Sequence, residues 1–97
     1  MTNAFYRAVE AQNYHLAYNY LDANATTTDG QKLTLNTFTQ LAQSSDSSYG
    51  PVVSFSIGAY PPLAVMTITR KILGPYHAHL KLKQEGNTWK IITLDRI

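Results

Sequence analysis

Up to Gly50 the apolar residues of this chain recur three and four positions apart, and after Gly50 they recur at every second position. The first spacing lays a stripe along a helix, and the second lays a face on a strand. A chain of 97 residues buries enough surface for one core and not for two, so the helical half and the strand half must cover each other. The expected fold is α+β, with residues 1–97 as a single domain. Three N-terminal helices pack on one face of a curved four-stranded antiparallel meander.

The helices are read from caps and stripes. Thr2 or Asn3 is placed to cap the first, whose stripe is Phe5, Ala8, Val9 and Gln12. Asn13 re-caps the chain for a second stripe of Tyr14, Ala17, Tyr18 and Leu21, ending near 22–24. Residues 25–31 carry turn chemistry, sharpest at Asp29-Gly30, and read as a loop or short edge strand. Thr34 caps a third helix with the stripe Leu35, Phe38, Leu41 and Ala42, and the Ser-rich run 44–48 before Gly50-Pro51 is expected to end it.

Four strand runs follow, 52–60, 63–73, 76–84 and 89–97. Pro61-Pro62, Gly74-Pro75 and Glu85-Gly86-Asn87-Thr88 separate them, and connections this short join antiparallel neighbours. Strict alternation aligns Leu82 with Ile91, Leu80 with Thr93 and Ala78 with Asp95, and sets Ile72 opposite Tyr76. The helix-facing side then carries Val53, Phe55, Ile57, Ala59, Ala64, Met66, Ile68, Arg70, Ile72, Tyr76, Ala78, Leu80 and Leu82. Trp89, Ile91, Leu80, Leu82, Phe55, Ile68, Phe38 and Leu21 are expected to be strongly buried. The outer side carries Ser54, Ser56, Thr67, Thr69, Lys71, His77, His79, Lys81, Lys83, Lys90 and Arg96. An apolar patch of Val65, Ile92 and Leu94 on it is a candidate homodimer surface.

Composition narrows the function classes. Charged residues make up 14%, against about 25% in a typical soluble domain, and such a surface is more common outside the cytoplasm. Cysteine is absent, which removes disulfides, thiolate nucleophiles and cysteine metal sites. No apolar run approaches the roughly 18 residues of a membrane span, and the start of the chain lacks the basic and apolar regions of a signal peptide. No membrane contact by this domain itself is expected. The compartment is extracytoplasmic if the chain is an excised domain, and cytoplasmic otherwise. Residues 1–48 sum to −2 and residues 49–97 to +4, so the sheet half is mildly basic. That field attracts an anion or acidic partner, but aromatic residues are not interleaved with the lysines, and nucleic-acid binding is not expected.

The polar residues worth weighing sit on the helix-facing side. The register puts Arg70 and Asp95 on either side of Ala78, where an arginine stem can reach across to form a charge-assisted pair. One reading is a structural ion pair near the open end of the sheet. The other is a pocket lined by Arg70, Tyr76, Thr93 and Asp95, where the guanidinium holds an anion or the carboxylate acts as a base. A paired carboxylate tends toward a lowered pKa, which suits a base poorly. His77 and His79 share a face as alternate strand residues, yet zinc sites take three or four ligands and Lys71, Lys81 and Arg96 are expected beside them, so no metal is assigned. No phosphate loop or partnered nucleophile is visible, and no cofactor is expected.

Two segments carry a family resemblance. The opening 5–14 (FYRAVEAQNY) followed by Ala17-Tyr18 resembles the first helices of bacterial domains of the nuclear transport factor 2-like, cystatin-like superfamily, and Trp89-Lys90-Ile91-Ile92 through Asp95 resembles their last strand. The resemblance implies a cone in which helices close over a curved sheet. It further implies a non-catalytic accessory or small-ligand-binding domain, the soluble part of a secreted or membrane-anchored bacterial protein. Other members are isomerases, hydratases or dehydratases. A small enzyme of that kind, with Asp95 as base and Tyr76 or Arg70 stabilising an oxyanion, is one alternative. An interaction module acting through the outer sheet face is another. The chain is shorter than the enzymatic members and lacks room for a long lid, which weighs against a deep enclosed cavity and, with it, against catalysis.

Overall fold

The computed structural model describes residues 2–58 and 63–97. The chain runs α1 (Thr2–Glu10), α2 (Tyr14–Tyr18), β1 (Leu21–Thr27), α3 (Leu35–Tyr49), β2 (Val52–Ile57), β3 (Leu63–Arg70), β4 (Gly74–Glu85) and β5 (Thr88–Leu94). The sheet has five strands in the order β1-β5-β4-β3-β2. Strands β2 to β5 form the expected antiparallel meander. The expectation of four antiparallel strands is corrected by β1, which pairs parallel to β5. Leu21, read as the end of the second helical stripe, starts this strand, because Leu21 and Ala25 reach the core from an edge that α2 stops short of.

Thr34 caps α3 in a capping box with Thr37. The Ser-rich run does not end the helix, which continues to Tyr49 and stops at Gly50 with φ of 83°. Ser and Asp are poor helix formers, but Asp46 gains a buried partner there. Gly50 is required twice over. Its backbone is in a region essentially reserved for glycine, and a Cβ would meet the Ile72 nitrogen at 2.8 Å. Thr2 and Asn3, expected as caps, already lie within α1.

Two bulges redistribute the faces. In β5 the register shifts between Lys81 and Leu82 of the partner strand, so Leu82 opposes Ile91 as expected but Leu80 opposes Leu94 and Lys81 opposes Thr93. Ile92 is the extra residue. Leu94, assigned to the outer patch, is 0% exposed, and Thr93 moves to the outer face. In β2 a shift between Val52 and Ser54 turns Val52 inward beside Arg70 and leaves Val53 53% exposed. Both corrections have one cause. Ile91 and Leu94, like Val52 and Phe55, are apolar residues three apart, and only an inserted residue lets both members of such a pair face the core.

In the β3–β4 hairpin Tyr76 opposes Ile68, not Ile72, and Arg70 opposes Gly74. The even slip keeps every residue on its expected face. The chain leaves the ladder after Arg70 because the Lys71 nitrogen donates to Pro51 and the Ile72 and Leu73 nitrogens donate to Tyr49. Ile72 is therefore 70% exposed.

The core joins Phe5, Tyr6, Val9 and Phe38 of the helices to Met66, Ile68, Leu80, Leu82, Ile91 and Leu94 of the sheet. Each such large side chain contributes about 1.5–3 kcal/mol. Trp89, Phe55 and Tyr76 pack on its margin and are only partly buried, which corrects the expectation for Trp89 and Phe55. Ile57 faces inward opposite Met66 but stays exposed at the sheet edge. The placement of Ala59 lies outside the described residues. Among the described residues no helix is long and apolar enough to cross a membrane.

Candidate functional site

Alternation puts Arg70 inward at the end of β3, and the structure closes a network around it. It is 1% exposed, the one charged side chain fully buried among the described residues. Its Nη1 donates to Asp46 Oδ1 at 2.6 Å and to the Gly50 carbonyl at 2.8 Å. Its Nη2 donates to the Ile97 carbonyl at 2.9 Å, and its Nε to the Tyr76 hydroxyl at 2.8 Å. Tyr76 in turn donates to the Ile97 carbonyl, while Asp46 Oδ2 accepts from the Tyr14 hydroxyl. Arg70 thus ties α3, β4 and the 95–97 segment to β3.

Electrostatics follow from this packing. Burial works against the charge on Arg70, but its bonds to Tyr76 and Asp46 outweigh it and its pKa stands above the ordinary value. Burial pushes the Tyr76 phenol up, partly opposed by the guanidinium. Burial, with the hydrogen bond to Asp46, pushes Tyr14 up to about 12. Burial also drives the Tyr6 phenol well above its usual range, with Tyr76 and Asp95 adding to the effect and Arg70 opposing it. The Tyr6 hydroxyl is buried without a hydrogen-bond partner among the described residues.

The expected Arg70–Asp95 pair is not formed. The β5 bulge turns Asp95 toward the outer face, where Oδ1 accepts from the His79 backbone nitrogen at 2.7 Å and Oδ2 from His79 Nδ1 at 2.8 Å. Asp46 takes the place assigned to Asp95. Thr93, opposite Lys81 and Thr26, lies on the outer side of the sheet, away from Arg70 and Tyr76. Arg96, expected on the outer face, comes to the Tyr76 side, with its Cζ 6.0 Å from the ring centroid.

Of the four candidate residues, Tyr76 and Asp95 border one cleft, and Arg70 lies behind it. The cleft measures about 440 Å³ and is lined by Ser45, Tyr49, Leu73, Tyr76, Asp95, Arg96 and Ile97. It opens where the C-terminal end of α3, the β3–β4 turn and the 95–97 segment meet. Tyr49, Leu73 and Ile97 give it apolar walls, and Asp95 and Arg96 give it one charge of each sign. Sequence reasoning missed Asp46 and His79 as partners. The three-residue spacing of Ile91 and Leu94 was the available signal for His79, since it forces the bulge that turns Asp95 outward.

No protein-family model matches the chain. No curated protein matches it either. Solved structures do. An uncharacterized cystatin-fold protein from Novosphingobium aromaticivorans superposes with a TM-score of 0.64 at 13% identity, covering 99% of this chain and 93% of that one. An NTF2-like protein of unknown function from Shewanella baltica gives 0.63 at 10% identity, covering 97% and 84%. Bd1075 from Bdellovibrio bacteriovorus gives 0.63 at 11% identity over 99% of this chain, which spans 38% of that protein. These identities speak to fold alone, and that fold agrees with the helices packed on a curved sheet: the chain has the cystatin-like, nuclear transport factor 2-like α+β fold.

Proposed function

We propose that this domain is a non-catalytic accessory module that binds a small ligand at the mouth of its cone. The observation that carries this reading is the closed network around Arg70. The guanidinium, Asp46 and Tyr76 are engaged with one another and with backbone carbonyls, and the Tyr6 hydroxyl, unpartnered among the described residues, is enclosed in the core and does not line the cleft. The cleft outside that network offers Asp95 and Arg96 between apolar walls. A zwitterion with an apolar arm fits this chemistry, its ammonium toward Asp95, its carboxylate toward Arg96 and its arm against Tyr49 and Leu73. The part-length match to the Bdellovibrio protein supports a modular role.

An NMR titration with phenylalanine, phenethylamine and hydrocinnamate tests the reading. Phenylalanine is expected to shift the amides of Tyr76, Asp95 and Arg96 at lower concentration than the two singly charged analogues. Equal or absent responses to all three contradict it. The isomerase or dehydratase alternative is addressed by deuterium incorporation into cyclohexanone in D2O. Exchange above the buffer rate that is lost in Asp95→Asn would overturn the non-catalytic assignment.

A further inference from the structure

The β5 bulge has a second effect, on the outer face of β4. His77 and His79 are alternate residues of that strand, with Cα atoms about 6.6 Å apart by strand geometry. Both are exposed, and His79 is 61% exposed at its side chain. Each ring has its Nδ1 occupied. His79 Nδ1 bonds to Asp95 Oδ2 at 2.8 Å, and His77 Nδ1 lies 3.3 Å from Thr67 Oγ1. A carboxylate accepts only, so His79 carries a proton on Nδ1, and Nε2 is the nitrogen that faces solvent and offers its lone pair to a metal in the neutral ring. This carboxylate-to-imidazole arrangement is the one that orients histidine ligands in metal sites. The longer contact at His77 leaves that ring free to swing toward its neighbour.

Charge on this face also favours a cation more than strict alternation implies. Arg96 sits on the Tyr76 side, and the Asp95 carboxylate is brought to the histidines in its place. Lys81 is the next residue of the face, and its charge opposes that of Asp95. We propose that the Nε2 atoms of His77 and His79 form a two-imidazole chelate for a divalent cation of the zinc, nickel and copper class, with Asp95 as the positioning residue and water completing the coordination. Among the described residues no three histidine, cysteine or carboxylate groups converge, so the two imidazoles are the only protein donors the proposal assigns. Imidazole donors select these metals over magnesium or calcium.

The test is titration of the protein with ZnCl2 and separately MgCl2 in a chelator-free buffer, followed by calorimetry and by ¹⁵N resonances of the imidazoles. Zinc is expected to bind saturably at one site and to shift Nε2 of both His77 and His79, while magnesium does neither. His77→Ala and His79→Ala should each weaken binding at least about tenfold, and Asp95→Asn about 10- to 100-fold. His15→Ala should leave it unchanged. Zinc binding that survives His77→Ala, or that falls equally in His15→Ala, overturns the proposal, as does a lack of zinc response. An apo spectrum with the His79 proton on Nε2 overturns the role given to Asp95. All of these side chains are exposed or at the rim, and circular dichroism checks that each variant keeps the fold.

Discussion

Tyr6 is the residue whose chemistry is least matched to its place. Its ring fills the core between Phe5 and Phe55, yet its hydroxyl is buried without a partner among the described residues. An unsatisfied hydroxyl costs about 1–3 kcal/mol, so Tyr6→Phe should leave urea-unfolding stability unchanged or raise it by about 1 kcal/mol. A loss above 1 kcal/mol would mean that the hydroxyl has a partner. The tyrosines also set an alkaline limit. A phenol ionises near pH 10 in the unfolded chain, whereas Tyr14 is held up to about 12 and Tyr76 is raised as well. Between those values the native state keeps a proton that the unfolded state has lost. The stability from Tyr14 is thus complete below pH 10 and disappears as pH rises toward 12. Unfolding midpoints at pH 8 and pH 11 should fall with pH, less steeply in Tyr14→Phe; a flat profile contradicts the assignment. That Arg70 faces inward was legible from alternation alone. Its partner was not, because Asp46 lies 24 positions away in a Ser-rich run whose propensity argues for a helix end, and tertiary pairing overrides that preference.

At the scale of elements, two insertions and one glycine organise the site. Periodicity captured the helices, the meander and the faces of β3 and β4, because those strands keep an unbroken two-residue repeat. It failed at β2 and β5, where a bulge moves Val52 and Leu94 inward and Asp95 outward. It gives 21–24 to the end of the second helix and 25–31 to a loop or short edge strand, where the structure has β1 over Leu21–Thr27, because this segment has polar residues on both faces of an edge and a parallel partner distant in sequence. Of the candidate pocket, Tyr76 and Asp95 reach the cleft, and Thr93 does not because it lies in the bulged strand. Gly50 joins α3 to β2 where the Arg70 network and the β3–β4 turn meet. Gly50→Ala should cost about 1–3 kcal/mol from backbone conformation alone, with more from the collision with Ile72. Thermal unfolding measures this, and a loss under 0.5 kcal/mol, on the order of an ordinary surface change, would contradict the geometry.

For the whole molecule, the outer sheet face is a weaker dimer surface than the sequence implies. With Leu94 in the core, the patch reduces to Val65 and Ile92, both half-buried, beside Lys81, Lys83 and Lys90. Sedimentation equilibrium is expected to show a monomer; a dimer dissociated by Ile92→Lys would restore that face as an interface. The proposed division is between an interior committed to holding the fold together and a cleft at its mouth that takes a ligand. The most direct measurement of that division is a double-mutant cycle of Arg70→Met and Asp46→Asn by urea unfolding. Removing one partner of a buried pair costs about 3–5 kcal/mol, so each single variant should lose that much. The double variant should lose little more, with a coupling of about 2 kcal/mol or above. If Arg70→Met instead unfolds within about 1 kcal/mol of the parent, the loss of an exposed pair, the network does not hold the cone closed and its polar groups are free for chemistry.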